Sequence, residues 1–220
     1  MDCFRRGWVA VVLEDGAFSG AWTAPTFDEV RARCDGADAI GVDIPIGLEG
    51  APRRLADEAA KAFLRPRGSV VFRTYPEWLY RVAEALPYRE RYAEARRRCR
   101  ELGWPVVSSQ SFALGARILE LVPWTDDSRL LEVHPEISFR ELAGRDLGEK
   151  KGWNGLMARR RVLREGGIEL PEILPEAVRV PADDVLDAAV AAWTACRYAD
   201  RAARPLPGGH PRGVPGAIWR

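Results

Sequence analysis

Apolar positions follow strand-like patterns at three places in the chain. Two short apolar runs flank an Asp-Gly pair at residues 15–16, and this arrangement predicts a β-hairpin. The run "AIGVDIPIG" at residues 39–47 is apolar and β-branched and then meets proline and glycine, which predicts a buried strand that ends in a loop. Another short strand is predicted within "SRLLEVHPEISF", residues 128–139.

Helical spacing of apolar residues covers much of the remaining chain. The first helix is expected to begin at Thr26, which can cap it, and to end at Gly36. The others are predicted over residues 51–64, 79–102 with an interruption at Pro87, 110–122, 154–167 and 183–199. The tail at residues 205–219 is rich in proline and glycine and is expected to be largely irregular.

The order of these elements predicts the fold class. A hairpin comes first and strands alternate with helices afterwards, which is typical of an α/β protein with a mixed sheet and helices on its faces. The sequence contains no clear linker. The chain is therefore interpreted as one domain over residues 1–220, with a helical insertion at about residues 51–125.

Composition narrows the class of protein more than its function. The chain has 220 residues, 47% hydrophobic and 30% charged, as expected of a globular protein. Its 33 basic and 32 acidic residues leave a net charge of +1, which indicates no particular partner. No apolar run approaches the roughly 18 residues that a membrane span needs, so no membrane partner is expected. Four widely spaced cysteines and the lack of a signal-peptide pattern favour a reduced, cytoplasmic protein.

The last predicted helix begins with three aspartates, and one of them lacks a simple structural explanation. Asp183 can cap the helix, and Asp184 suits the positive end of the helix dipole. Asp187 shares a face with Asp184 and with small residues, so that face can lie close against another element. An acid pair on a close-packed face needs a counter-charge or a metal ion.

Further acids are embedded in or beside the predicted strands. Asp43 lies near the carboxyl end of a buried strand, where ligands bind in open α/β sheets, although it could instead order the loop that follows. Glu132 and His134 are expected on one side of a strand, and Glu136 follows just past its end. His134 is a candidate substrate contact, although a lone strand histidine is more often structural.

The type of these side chains indicates a kind of ion. Carboxylate oxygens without thiols or a histidine cluster suit hard cations, Mg²⁺ or Mn²⁺. Two such ions held by shared carboxylates can activate a water molecule and stabilise the leaving oxygen in phosphodiester cleavage. Asp184 and Asp187 are thus predicted to be metal ligands.

Basic residues in two segments are candidate contacts to phosphate groups. "RPRG" supplies Arg65 and Arg67, and "KKGWNG" supplies Lys151 beside Lys150. Gln110 is a polar residue at a predicted helix start and is a further candidate, although it could be only a residue of the N-terminal cap region.

Several motifs, in order along nearly the whole chain, resemble the family catalogued as "domain of unknown function 429". They are "GWVAVVL", "IGVDIPIGL", "RPRGSVVF", "SQSFALGARILEL", "EVHPEISFREL" and "ADDVLDAAVAAWTA". Members of that family are often described as predicted nucleases of RNase H-like fold. The resemblance implies three antiparallel strands, followed by parallel strands alternating with helices.

The resemblance also implies roles for the acids. Asp2 falls where the family has its first catalytic aspartate, and Asp43 matches the second. "EVHPE" matches the third acidic strand, with Glu132 and Glu136 as alternatives, and Asp184 and Asp187 would complete the metal site. The chain opens with "MDCFRRGW" where the family usually has a longer first strand, so we expect the true start to lie upstream.

The resulting prediction is a metal-dependent nuclease that uses two Mg²⁺ or Mn²⁺ ions on DNA or RNA. Resolvase-like nucleases often pair, so a homodimer is a candidate assembly, although the sequence itself does not indicate the oligomeric state. Two alternatives stay open. One is phosphotransfer to, or hydrolysis of, a small molecule with a Mg-nucleotide, although no glycine-rich Walker-type loop is present. The other is a non-catalytic nucleic-acid-binding protein of the same fold.

Overall fold

The computed structural model describes residues 1–207 and 216–220. Its strands are β1 (Asp2–Phe4), β2 (Gly7–Glu14), β3 (Ala17–Ala24), β4 (Ile40–Val42), β5 (Leu130–Val133), β6 (Pro205–Leu206) and β7 (Ile218–Trp219). Its α-helices are α1 (Phe27–Arg33), α2 (Leu55–Phe63), α3 (Glu77–Tyr80), α4 (Tyr88–Glu101), α5 (Ser109–Leu121), α6 (Pro135–Ala143), α7 (Trp153–Glu165) and α8 (Ala182–Ala199).

The strands form an antiparallel part and a mostly parallel part. β1, β2 and β3 are antiparallel neighbours, as the predicted hairpin requires. β4, β5 and β7 are parallel neighbours, and β6 is antiparallel to β7 at the edge. The backbone of Met1 joins the two parts, because its ammonium donates to the Gly41 carbonyl at 2.8 Å and its carbonyl accepts from the Asp43 amide at 3.0 Å. β1 therefore lies beside β4, and the α/β class with a mixed sheet is confirmed.

Helices cover both faces of the antiparallel part. Successive residues of a strand point to opposite faces. In β2, Trp8 belongs to a core cluster with Phe27 of α1 and Ile118 of α5, whereas Val9 belongs to a second cluster with residues of α7 and α8. Trp8 and Val9 are both fully buried. The sheet is thus the middle layer between two helical layers, and these side chains are buried on both of its faces.

Helix α8 packs closely against the sheet through the small-residue face that the sequence predicts. Asp187, Ala188, Ala191, Thr194 and Ala195 are all buried. At the crossing with β4, a Cβ atom on Gly41 would lie 2.5 Å from the carbonyl oxygen of Ala191. Only glycine fits there without displacing backbone, so the absence of a side chain lets helix and strand touch.

Several sequence predictions agree with the structure and two do not. Thr26 caps α1, with its Oγ1 accepting from the Glu29 amide at 3.4 Å. Helix α6 was not predicted: Pro135 occupies its first turn, where the missing amide hydrogen costs nothing. The tail is less irregular than predicted, because β6 and β7 extend the sheet. The rest of the tail, including His210, lies outside the described residues.

The described residues also bear on the predicted insertion and on membranes. Helices α2 to α5 lie between β4 and β5 in the chain, in the segment that the sequence analysis assigned to an insertion. Among the residues that the structure describes, no helix is long and apolar enough to cross a membrane.

Candidate metal centre

Three elements bring three aspartates together, and we call them the acid triad: Asp2, Asp43 and Asp187. Asp2 lies in β1, Asp43 directly follows β4, and Asp187 lies in the second turn of α8. Each offers one carboxylate oxygen such that these oxygens all lie within 4.8 Å of one another. Asp187 is 1% exposed and Asp2 is 5% exposed. The pairing of β1 with β4 and the close packing of α8 on β4 together create this cluster.

The surroundings of the triad disfavour three negative charges. Burial is the largest cause that raises the pKa of all three carboxyls. The neighbouring triad members raise the pKa of Asp2 and Asp43 further. Asp184, one turn before Asp187, has its pKa raised to about 6 by burial and by Asp183. A cation bound between these carboxyls would stabilise their charged forms.

Lys150 is the basic side chain that contacts the triad. Its Nζ lies 2.6 Å from Asp187 Oδ2 and 4.0 Å from Asp183 Oδ2. Burial lowers the pKa of Lys150, but the charge and hydrogen bond of Asp187 outweigh this, so its pKa lies above the ordinary value. The other oxygen of Asp187, Oδ1, is buried and has no hydrogen-bond partner among the described residues. One lysine thus faces three carboxylates, and one ligand oxygen has no partner.

The triad opens into a cavity of about 430 Å³. Asp184, Lys150 and Arg67 also line this cavity, together with an apolar group that includes Val71, Phe72 and Leu114. The triad is therefore buried against the fold on one side and accessible to a small molecule or ion on the other.

A family model described as "Protein of unknown function (DUF429)" matches residues 1–212. The chain belongs to the DUF429 family. The match confirms the resemblance that the ordered motifs indicated, and the description of the family model gives no activity. No curated protein and no solved structure matches this DUF429 chain significantly.

Two further acids of this DUF429 protein, Glu132 and Glu136, line the same cavity but carry arginine partners. Glu132 Oε2 accepts from Arg54 Nη2 at 2.5 Å and from the Ile46 amide at 2.7 Å. Glu136 accepts from Arg159 Nη2 at 2.6 Å and lies 3.0 Å from Arg67 Nη1. The metal-binding role of Glu132 and Glu136 stays a prediction. Unlike the triad, each of these two acids already contacts an arginine guanidinium.

The predicted substrate contacts separate into two groups. Arg67 and His134 line the cavity. Burial lowers the pKa of His134 to about 4, so its imidazole is neutral at pH 7. Arg65, Gln110 and Lys151 are exposed and are not among the residues that line this cavity. The sequence thus indicates the correct loop at "KKGWNG", while Lys150 rather than its neighbour reaches the acids.

Arg54 is one of the residues of this region that sequence reasoning missed. Arg54 is 1% exposed and pairs with both Glu132 and Asp57, the latter at 3.3 Å. In the sequence it is one of two adjacent arginines before a helix, and nothing in its local pattern distinguishes it from a solvated residue. Its partner Glu132 is 78 residues away, so only the folded chain reveals the pair.

Proposed function

We propose that the acid triad binds Mg²⁺ or Mn²⁺ and that this DUF429 protein is a metal-dependent phosphodiesterase acting on nucleic acid. The observation that carries the proposal is the convergence of three carboxylate oxygens within 4.8 Å at the wall of a cavity. Buried carboxylates need a counter-charge, and one lysine supplies a single positive charge to three acids.

The chemistry of the donors favours a hard divalent cation. All three triad side chains offer oxygen, which Mg²⁺ and Mn²⁺ prefer over the softer ligands that zinc or copper select. The partnerless Oδ1 of Asp187 fits a ligand atom that is reserved for an ion. Asp184 lines the same cavity and is the candidate ligand for a second ion.

The arrangement of strands supports the RNase H-like interpretation. The order β3-β2-β1-β4-β5 has the antiparallel strands first and the parallel strands after them. This is the order of elements that the resemblance to the family implies. In this interpretation Asp2 and Asp43 lie on neighbouring strands and α8 adds the third acid.

The bound ions would activate a water molecule and stabilise the leaving oxygen of a phosphodiester. The residues of the chain would position the substrate for that chemistry. Lys150 and Arg67 line the cavity, but each is already paired, Lys150 with Asp187 and Arg67 with Glu136 and Asp146. A phosphate group in the cavity would share these cations with the acids. His134 is uncharged at pH 7 and therefore adds no positive charge of its own.

Calorimetric titration with Mn²⁺ tests the metal site directly. The wild type is expected to bind, and Asp187→Asn is expected to weaken binding at least about tenfold, which is roughly 1.4 kcal/mol. The matched control is Asp183→Asn, which removes the same charge from the same helix outside the triad and is expected to change the affinity less than threefold.

Hydrolysis of bis(p-nitrophenyl) phosphate and of labelled DNA and RNA strands tests the activity. Mn²⁺-dependent cleavage that is lost in Asp187→Asn supports the proposal. Mn²⁺ binding without cleavage of any diester would favour a non-catalytic protein or an enzyme that acts on a Mg-nucleotide. Equal Mn²⁺ affinity of the wild type and Asp187→Asn would remove the metal site itself.

A further inference from the structure

The cavity at the acid triad has two chemically different parts. One part consists of the acids together with Lys150 and Arg67. The other is apolar and includes Val70, Val71 and Phe72 from the segment that follows α2 and Leu114 from α5, together with residues at the ends of the parallel strands. A phosphodiester alone would need only the charged part. The apolar part therefore indicates which group is attached to the phosphate.

Phe72 is the most informative residue of the apolar part. Its side chain is 47% exposed, whereas the neighbouring Val71 is 6% exposed. An aromatic ring that lines a cavity while half of it faces solvent contributes little to the core. It offers exposed aromatic surface on the wall of the cavity that the triad also lines.

The segment that carries Phe72 is firmly attached to the fold. A Cβ atom on Gly68 would lie 2.7 Å from the Lys61 carbonyl, so the backbone of the segment packs directly on α2. At the other end, the Thr74 amide donates to Asp57 Oδ2 at 3.0 Å, and the Arg73 carbonyl accepts from Ser111 Oγ at 2.7 Å. The backbone that carries the ring is thus held in place before any ligand arrives, which reduces the entropy lost on binding.

We propose that the apolar part holds the base and sugar of one unpaired nucleotide, with Phe72 as the stacking surface, so that the preferred substrate is single-stranded nucleic acid. The proposal rests on the proposed phosphodiesterase function and specifies its substrate. Arg67 comes from the same segment as Phe72, so one loop would supply the base contact and a guanidinium that a phosphate would share with Glu136 and Asp146.

The size of the cavity agrees with a single nucleotide. Its volume of about 430 Å³ lies in the range of roughly 300–1,000 Å³ that is typical of small-ligand sites. A base within a duplex has both faces covered by its neighbours and cannot stack on a protein ring unless it leaves the helix. A single strand presents its bases without that cost.

Steady-state cleavage of a single-stranded 12-mer, with Mn²⁺ present, tests the role of the ring. Stacking of a base on an aromatic side chain contributes about 1–3 kcal/mol, so Phe72→Ala is expected to raise KM about tenfold. Phe72→Trp is expected to restore it. Trp78→Ala is the matched control, because Trp78 is 43% exposed and is not among the residues that line the cavity. Mn²⁺ affinity measured by calorimetry is expected to be unchanged in all three variants.

A strand of abasic spacer units distinguishes stacking from a general effect on the site. The wild type and Phe72→Ala are expected to cleave this strand with the same kcat/KM, because no base is present to stack. The wild type is also expected to prefer the single strand over its blunt duplex at least about tenfold.

Three results would overturn the inference alone: wild-type KM in Phe72→Ala, an equal loss on the abasic strand, or equal cleavage of strand and duplex. If the wild type binds Mn²⁺ but cleaves no strand, the proposed function fails and the inference fails with it.

Discussion

The cavity wall contains two sets of acids that differ in their ion-pair partners. Glu132 and Glu136 each contact at least one arginine at 3.0 Å or less. The acid triad contains three carboxylates that lie close to one another, and Lys150 on Asp187 is its ion-pair partner within 4.0 Å in the described part of the chain. The two sets lie on neighbouring elements and share a cavity, yet only in the first does each acid contact an arginine.

This difference teaches how to separate scaffold from site in a protein of unknown activity. A buried carboxylate with its own guanidinium is satisfied within the fold, and breaking the pair is costly. A buried carboxyl among other carboxyls keeps its proton until a cation replaces it, and such a raised pKa is typical of functional sites. The first set should therefore matter most for stability, and the second for ligand binding.

The largest expected effect is on stability, from Arg54→Met. This change leaves Glu132 and Asp57 buried without their partner, which typically costs about 3–5 kcal/mol. Thermal unfolding in EDTA should then show a melting temperature lower by roughly 10 °C, given about 2–4 °C per kcal/mol for a domain of this size. A change below about 3 °C would mean that Arg54 is not essential to the scaffold.

Arg97→Met is the control for Arg54→Met. Arg97 pairs with Glu94 and Glu101 on the exposed surface of α4. Exposed pairs contribute about 0–1 kcal/mol, so the melting temperature should hardly move.

The next effect concerns Asp43→Asn and its dependence on pH in the absence of metal. The pKa of Asp43 is raised in the folded protein by burial, then by Asp187, so the folded state keeps a proton that the unfolded state loses above about pH 4. The stability of the wild type from this group is therefore lost as the pH rises through the folded pKa. Asparagine has no carboxyl proton to lose. The free energy of unfolding of the variant should therefore rise relative to that of the wild type between pH 5 and 8.

Denaturant unfolding in EDTA at pH 5 and pH 8 measures this gain. The difference in free energy of unfolding between variant and wild type should grow by at least about 1.4 kcal/mol, the equivalent of one pKa unit. The difference is the right quantity because the pKa of His134 is lowered by burial, and this group titrates with the opposite sign in both proteins. A gap that stays constant with pH would contradict the raised pKa. Mg²⁺ should narrow the gap at pH 8 by stabilising the wild type.

The smallest expected effect comes from Lys150→Met. The Lys150 ammonium lies 2.6 Å from Asp187 Oδ2. A cation bound to the triad would therefore compete with it for the same carboxylate oxygen and would be repelled by its charge. Removing it should tighten Mn²⁺ binding about three- to tenfold, or roughly 0.6–1.4 kcal/mol by calorimetry. Lys151→Met, which changes an exposed neighbour, should leave the affinity as it is. Weaker binding in Lys150→Met would show that the lysine supports the metal site instead of competing with it.

The fold was predictable wherever a run of residues was long enough to show its period. The hairpin, α5 and α8 have such runs, and they lie where the pattern places them. The two-residue strand β7 has no period to detect, and its place in the sheet depends on Trp219 and Ile218 meeting β5, far away in the chain. Helix α6 was missed because its start at Pro135 coincides with the end of a strand, where proline more often signals a turn.

The sequence indicates which acids of the candidate site are buried, but it does not indicate which of them have an ion-pair partner. Asp43 and Asp187 are recognisable in the sequence because each is an acid where an apolar residue would be expected. Whether an acid is neutralised depends on which distant side chain folds next to it. Nothing local distinguishes Glu132, which meets Arg54, from Asp43, which meets other acids. Likewise nothing local distinguishes Lys150, which contacts Asp187, from Lys151, which is exposed.

The contact between Gly41 and Ala191 works as a spacer for the whole centre. Gly41 lies two residues before Asp43, and Ala191 lies one helical turn after Asp187. A single methyl group at position 41 would come within 2.5 Å of the Ala191 carbonyl, so strand and helix would have to separate and carry the two carboxylates apart. Gly41 thus sets the distance between the two carboxylates. It thereby limits the radius of an ion that they could bind, although Gly41 has no side chain to contact that ion.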